Sequence, residues 1–127
     1  MNIQKFTQKS VEAINDCEKL AYEYGNQEIE QEHLLVALLR QEDGLILKLI
    51  EKMDINKEHF VDNAIKHLAA RVKVSGGKVF IGQDLNKVFI HAEDEAKQMG
   101  DEYVSVEHLF LALLRYPNKA MKEILKE

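Results

Sequence analysis

The chain of 127 residues contains no tryptophan, one proline and one cysteine. A single cysteine excludes an internal disulfide, and Cys17 falls in line with the apolar positions of a predicted helix, as expected of a small core residue. With 46% hydrophobic and 31% charged residues, the composition is typical of a helical globule rather than of a disordered or fibrous chain. The sequence therefore favours one ordered domain whose core needs no disulfide or metal.

The sequence also lacks a long apolar run and an excess of positive charge. The N-terminal residues MNIQKFTQKS contain no stretch of signal-peptide type, and no later segment reaches the length of a membrane span. The formal net charge of −5 opposes general binding to phosphate backbones. We therefore expect a cytoplasmic protein that has neither nucleic acid nor a membrane as a partner.

The most informative feature is an internal repeat. The segment EHLLVALLR, which begins at Glu32, returns as EHLFLALLR from Glu107, so that His33 and His108 are related by an offset of 75 residues. Two copies of so long a unit can bury their apolar faces by closing on each other about a pseudo-two-fold axis. We therefore expect a monomeric all-α domain over residues 1–127, with repeat 1 at 1–72, a linker at 73–82 and repeat 2 at 83–127.

Capping residues and apolar periodicity predict about seven to eight helices. Thr7, Asn56 and Ser105 are predicted N-caps, and Gly25 and Gly100 are predicted helix ends. The predicted helices run from Thr7 to Gly25, Glu32 to Arg40, Leu45 to Met53, Asn56 to Val72, Asp84 to Met99, Ser105 to Pro117 and from Asn118 onward. Since the last helix has no stop signal, we expect the sequence to be a piece of a longer protein.

No residue is a candidate for catalysis. No serine, threonine or cysteine has a base and an orienting partner in its sequence context. The segment Ser75-Gly76-Gly77-Lys78 lacks the spacing of a phosphate-binding loop, and the two EH pairs lack the second histidine of a zinc-binding HExxH motif. We therefore expect neither ATP nor metal binding within these residues.

The two EH pairs begin equivalent helices. Glu32 and Glu107 fall at the second helical position, where a carboxylate interacts favourably with the helix dipole by about 0.3–1 kcal/mol. The alternative interpretation is a pair of equivalent pockets for guanidinium-type ligands. His33 and His108 are expected to hydrogen-bond the backbone of the neighbouring loop rather than a metal.

Two surface features remain open in the sequence. Phe80 is expected to pack beneath the linker, whereas Ile90 falls off the inward stripe of the fifth helix and its burial is undecided. Asp101 follows the C-terminal end of that helix, where a negative charge is unfavourable, so we expect Asp101→Ala to leave stability unchanged or slightly raised. A residue that stability does not explain is a candidate for function.

The segments FTQKSVEAI, EHLLVALL and GDEYVSVEHLFLALL, with the duplication itself, resemble the Clp N-terminal repeat domain over nearly all of the chain. NQEIE and the KVSGG linker are most similar to the ClpB type of this family. The resemblance implies a domain tethered to a homohexameric ATPase that uses ATP and Mg. Such a machine threads unfolded or aggregated protein with the help of an Hsp70-type chaperone system.

The resemblance also implies the site residues. The polar substrate-handling positions of the family fall on Thr7, Asp101 and Glu107, beside an apolar groove in which the fifth helix takes part. His91 and Glu95 stand where that groove is commonly apolar, so the groove is expected to be wetter or to shift toward three neighbouring residues, Val88, Phe89 and Ile90. Gly82, the counterpart of Thr7, departs from the usual serine or threonine cap.

The alternative within the same family is the ClpC type, which docks adaptors or phosphoarginine-marked substrates for a protease. Its ligand sites would fall on Glu32 and His33 in one repeat and on Glu107 and His108 in the other. Gln31 and Val106 stand where that type usually offers threonine, so the hydroxyl contacts to a phosphate would be missing. A free-standing structural module is the third interpretation, and the sequence beyond residue 127 distinguishes all three.

Overall fold

The computed structural model describes residues 2–126. Seven α-helices lie within these residues and confirm the all-α prediction: α1 Gln8–Glu23, α2 Gln31–Leu39, α3 Leu45–Lys52, α4 Lys57–Ala69, α5 Gln83–Gln98, α6 Val106–Arg115 and α7 Lys119–Lys126. A short 3₁₀ turn, Ile3–Lys5, precedes α1. No helix among residues 2–126 is long and apolar enough to span a membrane.

The three predicted N-caps are confirmed. The side chains of Thr7, Asn56 and Ser105 accept hydrogen bonds from the backbone N–H of the residue three positions on. Gly25 and Gly100, which follow α1 and α5, have φ values of +69° and +73°, a left-handed conformation that glycine adopts without strain. The sequence therefore places the starts of α1, α4 and α6 and the ends of α1 and α5 correctly.

The predicted end of α4 at Val72 is wrong, because the helix stops at Ala69. The backbone beyond it pairs with the loop that follows α1. The carbonyl of Val72 accepts a hydrogen bond from Asn26 Nδ2 at 3.2 Å, and Val74 N–H donates to the carbonyl of Gly25 at 2.8 Å. These tertiary bonds replace the last helical turn that the periodicity predicts.

Two short extended segments, β1 Glu28–Ile29 and β2 Phe80–Ile81, form a parallel pair that the sequence analysis did not predict. Ile29 pairs with Ile81 in that ladder, and a single further bridge joins Phe6 to Val104. At the 75-residue offset, Ile29 corresponds to Val104 and Ile81 to Phe6. The same pairing thus occurs twice with the two halves exchanged, as a pseudo-two-fold arrangement requires. By this correspondence β2 is the counterpart of the segment at Phe6 that precedes α1.

The centre of the core is α2, in which every residue from Gln31 to Leu39 is buried. This helix contacts α1, α3, α4, α5, α6 and α7, which explains why its sequence is almost continuously apolar. Cys17 of α1 is 1% exposed and is the core thiol that the sequence predicts. Burial raises the pKa of that thiol above its ordinary value, which favours the unreactive protonated form.

Candidate functional site

A groove lined mainly by apolar residues opens between α1, α5 and the β1–β2 pair. We call it the α1–α5 groove, and its volume is about 210 Å³. The residues that line it are Ile14, Asn15, Cys17, Glu18, Ile29, Val79, Phe80, Ile81, Leu85 and Phe89. Phe80 is 50% exposed and Ile81 is 39% exposed, so apolar side chains lie at its mouth. The prediction that Phe80 packs beneath the linker is wrong. Hydrogen bonds to β1 hold β2 at the surface instead.

The internal repeat explains why the groove is open. At the 75-residue offset, its wall residues Ile14 and Ile81 correspond to Phe89 and Phe6. Those two phenyl rings pack edge to face with centroids 6.3 Å apart, and Phe6 is only 5% exposed. The aromatic pair fills one of two equivalent positions, whereas the smaller isoleucines leave the other one open.

The three predicted apolar site residues on α5 lie in different environments. Val88 is 0% exposed and lies in the core, so no ligand reaches it in this structure. Phe89 is 1% exposed and lines the floor of the groove, while Ile90 is 51% exposed on the outer side of α5. Their part in substrate binding stays a prediction. Ile14, which forms one wall of the groove, was not among the predicted site residues, although its correspondence to Phe89 at the repeat offset distinguishes it in the sequence.

The polar residues Thr7, Asp101 and Glu107 lie near the N-termini of α1 and α6. Thr7 Oγ1 accepts from Ser10 N–H at 3.2 Å, and the Thr7 N–H donates to the Val104 carbonyl at 2.9 Å. The Asp101 carboxylate contacts His108 Nε2 at 2.9 Å. Glu107 is exposed at the second position of α6. Two of the three are thus engaged in local structure, and their substrate-binding role stays a prediction.

Glu32 and Glu107, the alternative ligand positions, lie in different environments, and a ligand-binding role for them stays a prediction. Glu32 is 2% exposed, and its carboxylate pairs with the Arg71 guanidinium at 2.6 Å and accepts from Asn118 Nδ2 at 3.3 Å. The chain's own guanidinium therefore occupies the first position, while Glu107 remains exposed. Both carboxylates do stand in the first turn of their helices, as the dipole argument predicts.

Gln31, beside Glu32, has its whole side-chain amide engaged inside the domain. Its Nε2 donates to the carbonyls of Asp84 and Tyr116 at 3.2 and 3.1 Å. Its Oε1 accepts from the Asn118 N–H at 2.9 Å. The residue therefore ties α2 to the starts of α5 and α7 and offers no free group to a phosphate.

His33 and His108 bond to the backbone before their helices, as predicted. Their Nδ1 atoms accept from the N–H groups of Glu30 and Ser105, each at 2.9 Å. Burial, together with the charge of Arg71, lowers the pKa of His33 to about 4, so the ring is neutral at physiological pH. Within residues 2–126, His, Cys, Asp and Glu form no group of three that could hold a metal ion.

Glu30 caps two helices at once. One carboxylate oxygen accepts from Gln31 N–H at 3.2 Å at the start of α2, and the other accepts from Asp84 N–H at 3.3 Å at the start of α5. It supplies the cap that Gly82 lacks, and a Cβ atom at Gly82 would overlap the Glu30 carboxylate. Burial and the neighbouring charge of Glu28 raise the pKa of Glu30 to about 7.

His91 and Glu95, expected to make the groove wetter, do not line the α1–α5 groove. The His91 ring stacks on Tyr116 with centroids 3.6 Å apart. Glu95 is 7% exposed and pairs with Arg115 at 2.6 Å. Both side chains are engaged by the end of α6, and the groove keeps its apolar wall.

Comparison with known proteins shows which family the chain matches. The family described as the Clp repeat (R) N-terminal domain matches residues 5–127. The chaperone protein ClpB of Nitratidesulfovibrio vulgaris is 43% identical over 122 residues, which is 92% of this chain but only 14% of that protein.

Two solved structures share the fold. The Hsp104 N-terminal domain of Candida albicans superposes with a TM-score of 0.87 at 22% identity, covering 96% of this chain and 80% of that one. A ClpV N-domain in complex with a VipB peptide superposes with a TM-score of 0.76 at 19% identity, covering 98% and 79%. At these identities the likeness concerns the fold alone.

Proposed function

The chain belongs to the Clp repeat N-terminal domain family, and from that premise we propose that it is the substrate-engaging domain of a ClpB-type disaggregase. It binds unfolded or aggregated polypeptide in the cytoplasm and passes it to the remainder of a longer, homohexameric protein. That remainder threads the polypeptide with ATP and Mg, in cooperation with an Hsp70-type chaperone system. The domain itself catalyses no reaction.

The observation that carries this proposal is the exposure of Phe80 and Ile81 at the mouth of an open apolar groove. Unfolded and aggregated proteins differ from native ones by exposing apolar side chains, which such a groove can bury. A cavity of about 210 Å³ accommodates one or two side chains, so the affinity of a single domain is weak. Six domains on one hexamer compensate by multivalent binding.

The proposal is tested by substituting Phe80 with serine and measuring the binding of a reduced and alkylated, permanently unfolded protein by fluorescence anisotropy. Because about half of the Phe80 side chain is available for burial, we expect the dissociation constant to rise by about fivefold. Met53→Ser is the matched control, since Met53 is 49% exposed at the end of α3 and does not line the groove. Unchanged binding by Phe80→Ser, or an equal loss in the control, contradicts the groove as the site.

The polar residues Asp101 and Glu107 are proposed to assist the handover of aggregated substrate. In the longer protein, replacing either by alanine is expected to slow the reactivation of aggregates while basal ATP hydrolysis stays near the parent rate. The comparison needs both assays on the same preparations. Reactivation at the parent rate in both variants would remove these two residues from the site.

The alternative function, docking of phosphoarginine-marked proteins, is disfavoured by two observations. Arg71 already pairs with Glu32 at 2.6 Å, and neither Gln31 nor Val106 offers a hydroxyl beside the two glutamates. We therefore expect free phosphoarginine to bind only weakly in a calorimetric titration. Tight binding would favour the ClpC type over the ClpB type.

A further inference from the structure

The backbone of β2 has one edge that the structure leaves open. Phe80 N–H donates to the carbonyl of Gln27 at 2.9 Å, and Gly82 N–H donates to that of Ile29 at 2.8 Å. In a parallel ladder, alternate residues of a strand face the neighbouring strand, so the N–H and C=O of the intervening Ile81 point away from β1. Among residues 2–126, no backbone acceptor outside the helices and the β1–β2 ladder is found for the Ile81 N–H.

The equivalent edge in the other half of the molecule is covered. Phe6, the counterpart of Ile81, donates its N–H to the carbonyl of Ile3 at 3.1 Å within the 3₁₀ turn. That N-terminal segment is itself attached to α5, because the Asn2 N–H contacts the carboxylate of Glu93 at 3.4 Å. The counterpart of Glu93 at the repeat offset is Glu18, which is exposed on the rim of the α1–α5 groove.

We propose that an extended segment of substrate polypeptide covers the open edge as an added strand. It exchanges backbone hydrogen bonds with the N–H and C=O of Ile81 and places one apolar side chain in the α1–α5 groove. A backbone N–H of the segment donates to Glu18, as Asn2 does to Glu93. The proposal rests on the proposed function and specifies how the substrate is recognised.

Recognition through backbone hydrogen bonds suits a domain that binds polypeptides of many different sequences. Backbone hydrogen bonds at a sheet edge are independent of side-chain identity, and the groove adds only a requirement for an apolar residue. A helical segment has its own N–H and C=O groups paired internally and cannot donate them to Ile81. The edge therefore selects extended, unfolded chain over folded or helical protein.

Substitutions at Ile81 separate the backbone contribution from that of the side chain. Ile81→Pro removes the free N–H and most of the side-chain contact, while both ladder bonds of β2 remain because Phe80 and Gly82 donate them. Ile81→Ala removes side-chain contact but keeps the N–H. The probe is a short labelled peptide of alternating leucine and threonine. We expect Ile81→Pro to bind it about threefold to tenfold more weakly than Ile81→Ala, the effect of one hydrogen bond.

The second arm leaves the protein unchanged and methylates peptide nitrogens in turn. Strand addition predicts that methylation at alternate positions abolishes binding and that methylation at the intervening ones does not. The methylation series tests strand addition even if the Ile81→Pro variant fails to fold. Equal binding by the proline and alanine variants, or insensitivity to every methylation, overturns strand addition. If the unfolded protein still binds in a manner that Phe80→Ser weakens, the proposed function stands and strand addition alone is overturned; if neither the peptide nor the unfolded protein binds, both proposals are overturned.

Discussion

The carboxylate of Asp101 accepts a hydrogen bond from Nε2 of His108 at 2.9 Å, across the turn that leads from α5 into α6. In repeat 1, the amide oxygen of Asn26 accepts the equivalent bond from His33 at 3.0 Å. The two halves therefore use a carboxylate and an amide for the same structural task. The dipole of α5 taken alone makes the negative charge of Asp101 unfavourable, but this view leaves out the hydrogen bond to His108.

Replacing Asp101 by alanine is accordingly expected to lower the free energy of unfolding by about 1 kcal/mol, the net value of one hydrogen bond. Asp101→Asn is the matched control, since Asn26 shows that an amide serves at this position. Urea unfolding of the two variants and the parent provides the comparison. If the alanine variant is as stable as the parent, the original expectation from the sequence is right and the hydrogen bond contributes nothing net.

A second prediction concerns the unequal environments of Glu32 and Glu107. Because Glu32 is buried against Arg71, Glu32→Ala removes the nearer of the two carboxylates that pair with the guanidinium and should cost about 3 kcal/mol, the lower end for a broken buried pair. Arg71 keeps the more distant Glu28 at 3.6 Å, which limits the loss. Glu107→Ala should cost at most about 1 kcal/mol through the helix dipole. Equal penalties in chemical denaturation would show that the ion pair contributes nothing of its own.

The pH dependence of stability should reveal the neutral state of His33. Burial lowers its pKa in the folded state to about 4, below the ordinary value of 6.5, so the unfolded chain binds more protons between these values. The contribution of His33 is therefore complete above pH 6.5 and is lost as the pH falls toward 4. We expect the penalty of His33→Asn to shrink by up to about 3 kcal/mol between pH 7 and pH 4.

The effect of His33 has to be measured as the difference in free energy of unfolding between variant and parent, because Glu30 changes the pH dependence of stability in the opposite direction. Its pKa is raised from 4.5 to about 7, so its contribution is complete below pH 4.5 and is lost as the pH rises toward 7. The two groups partly cancel in the stability of the parent protein. Denaturant unfolding of the parent and of the His33→Asn variant, each at pH 7 and at pH 4, gives the contribution of His33 by difference. If the variant loses the same free energy of unfolding at both pH values, the ring of His33 is not held neutral by burial.

The fold was predictable from the sequence to the extent that its signals are local or repeated. Thr7, Gly25 and Ser105 mark helix ends through their own capping chemistry, and the repeat of His33 at His108 identifies the duplication. The β1–β2 pair was not predictable, because two residues per strand carry no periodicity and their pairing spans the interval from Glu28 to Phe80. The exposure of Phe80 depends on that pairing and was missed with it.

The candidate site was predictable only in its composition. Phe89 has the apolar character of a groove residue, yet which side chains reach the surface depends on how α1 and α5 approach each other. Val88 and Ile90 flank Phe89 in the sequence but are 0% and 51% exposed. The ion pair between Glu32 and Arg71 is likewise a long-range contact that no local sequence pattern predicts.

The last prediction concerns the two ways in which the repeats cap their helices. At one junction between the repeats, Thr7 and Ser105 cap α1 and α6 separately; at the equivalent junction, Glu30 caps both α2 and α5 beside a glycine at position 82. Gly82→Thr alone should cost about 1–3 kcal/mol, because its side chain displaces the Glu30 carboxylate. Glu30→Ser alone should cost about 1 kcal/mol by uncapping α5.

Combining Glu30→Ser with Gly82→Thr recreates the arrangement at the other junction, in which each helix has a hydroxyl cap of its own. The smaller serine vacates the space that the threonine needs, and the threonine supplies the cap that α5 loses. We therefore expect the double variant to be at least about 1 kcal/mol more stable than the sum of the single penalties implies. A double-mutant cycle by urea unfolding measures this coupling. Strict additivity would mean that Glu30 and Gly82 are independent, and that the close approach of the carboxylate to the glycine has no energetic consequence.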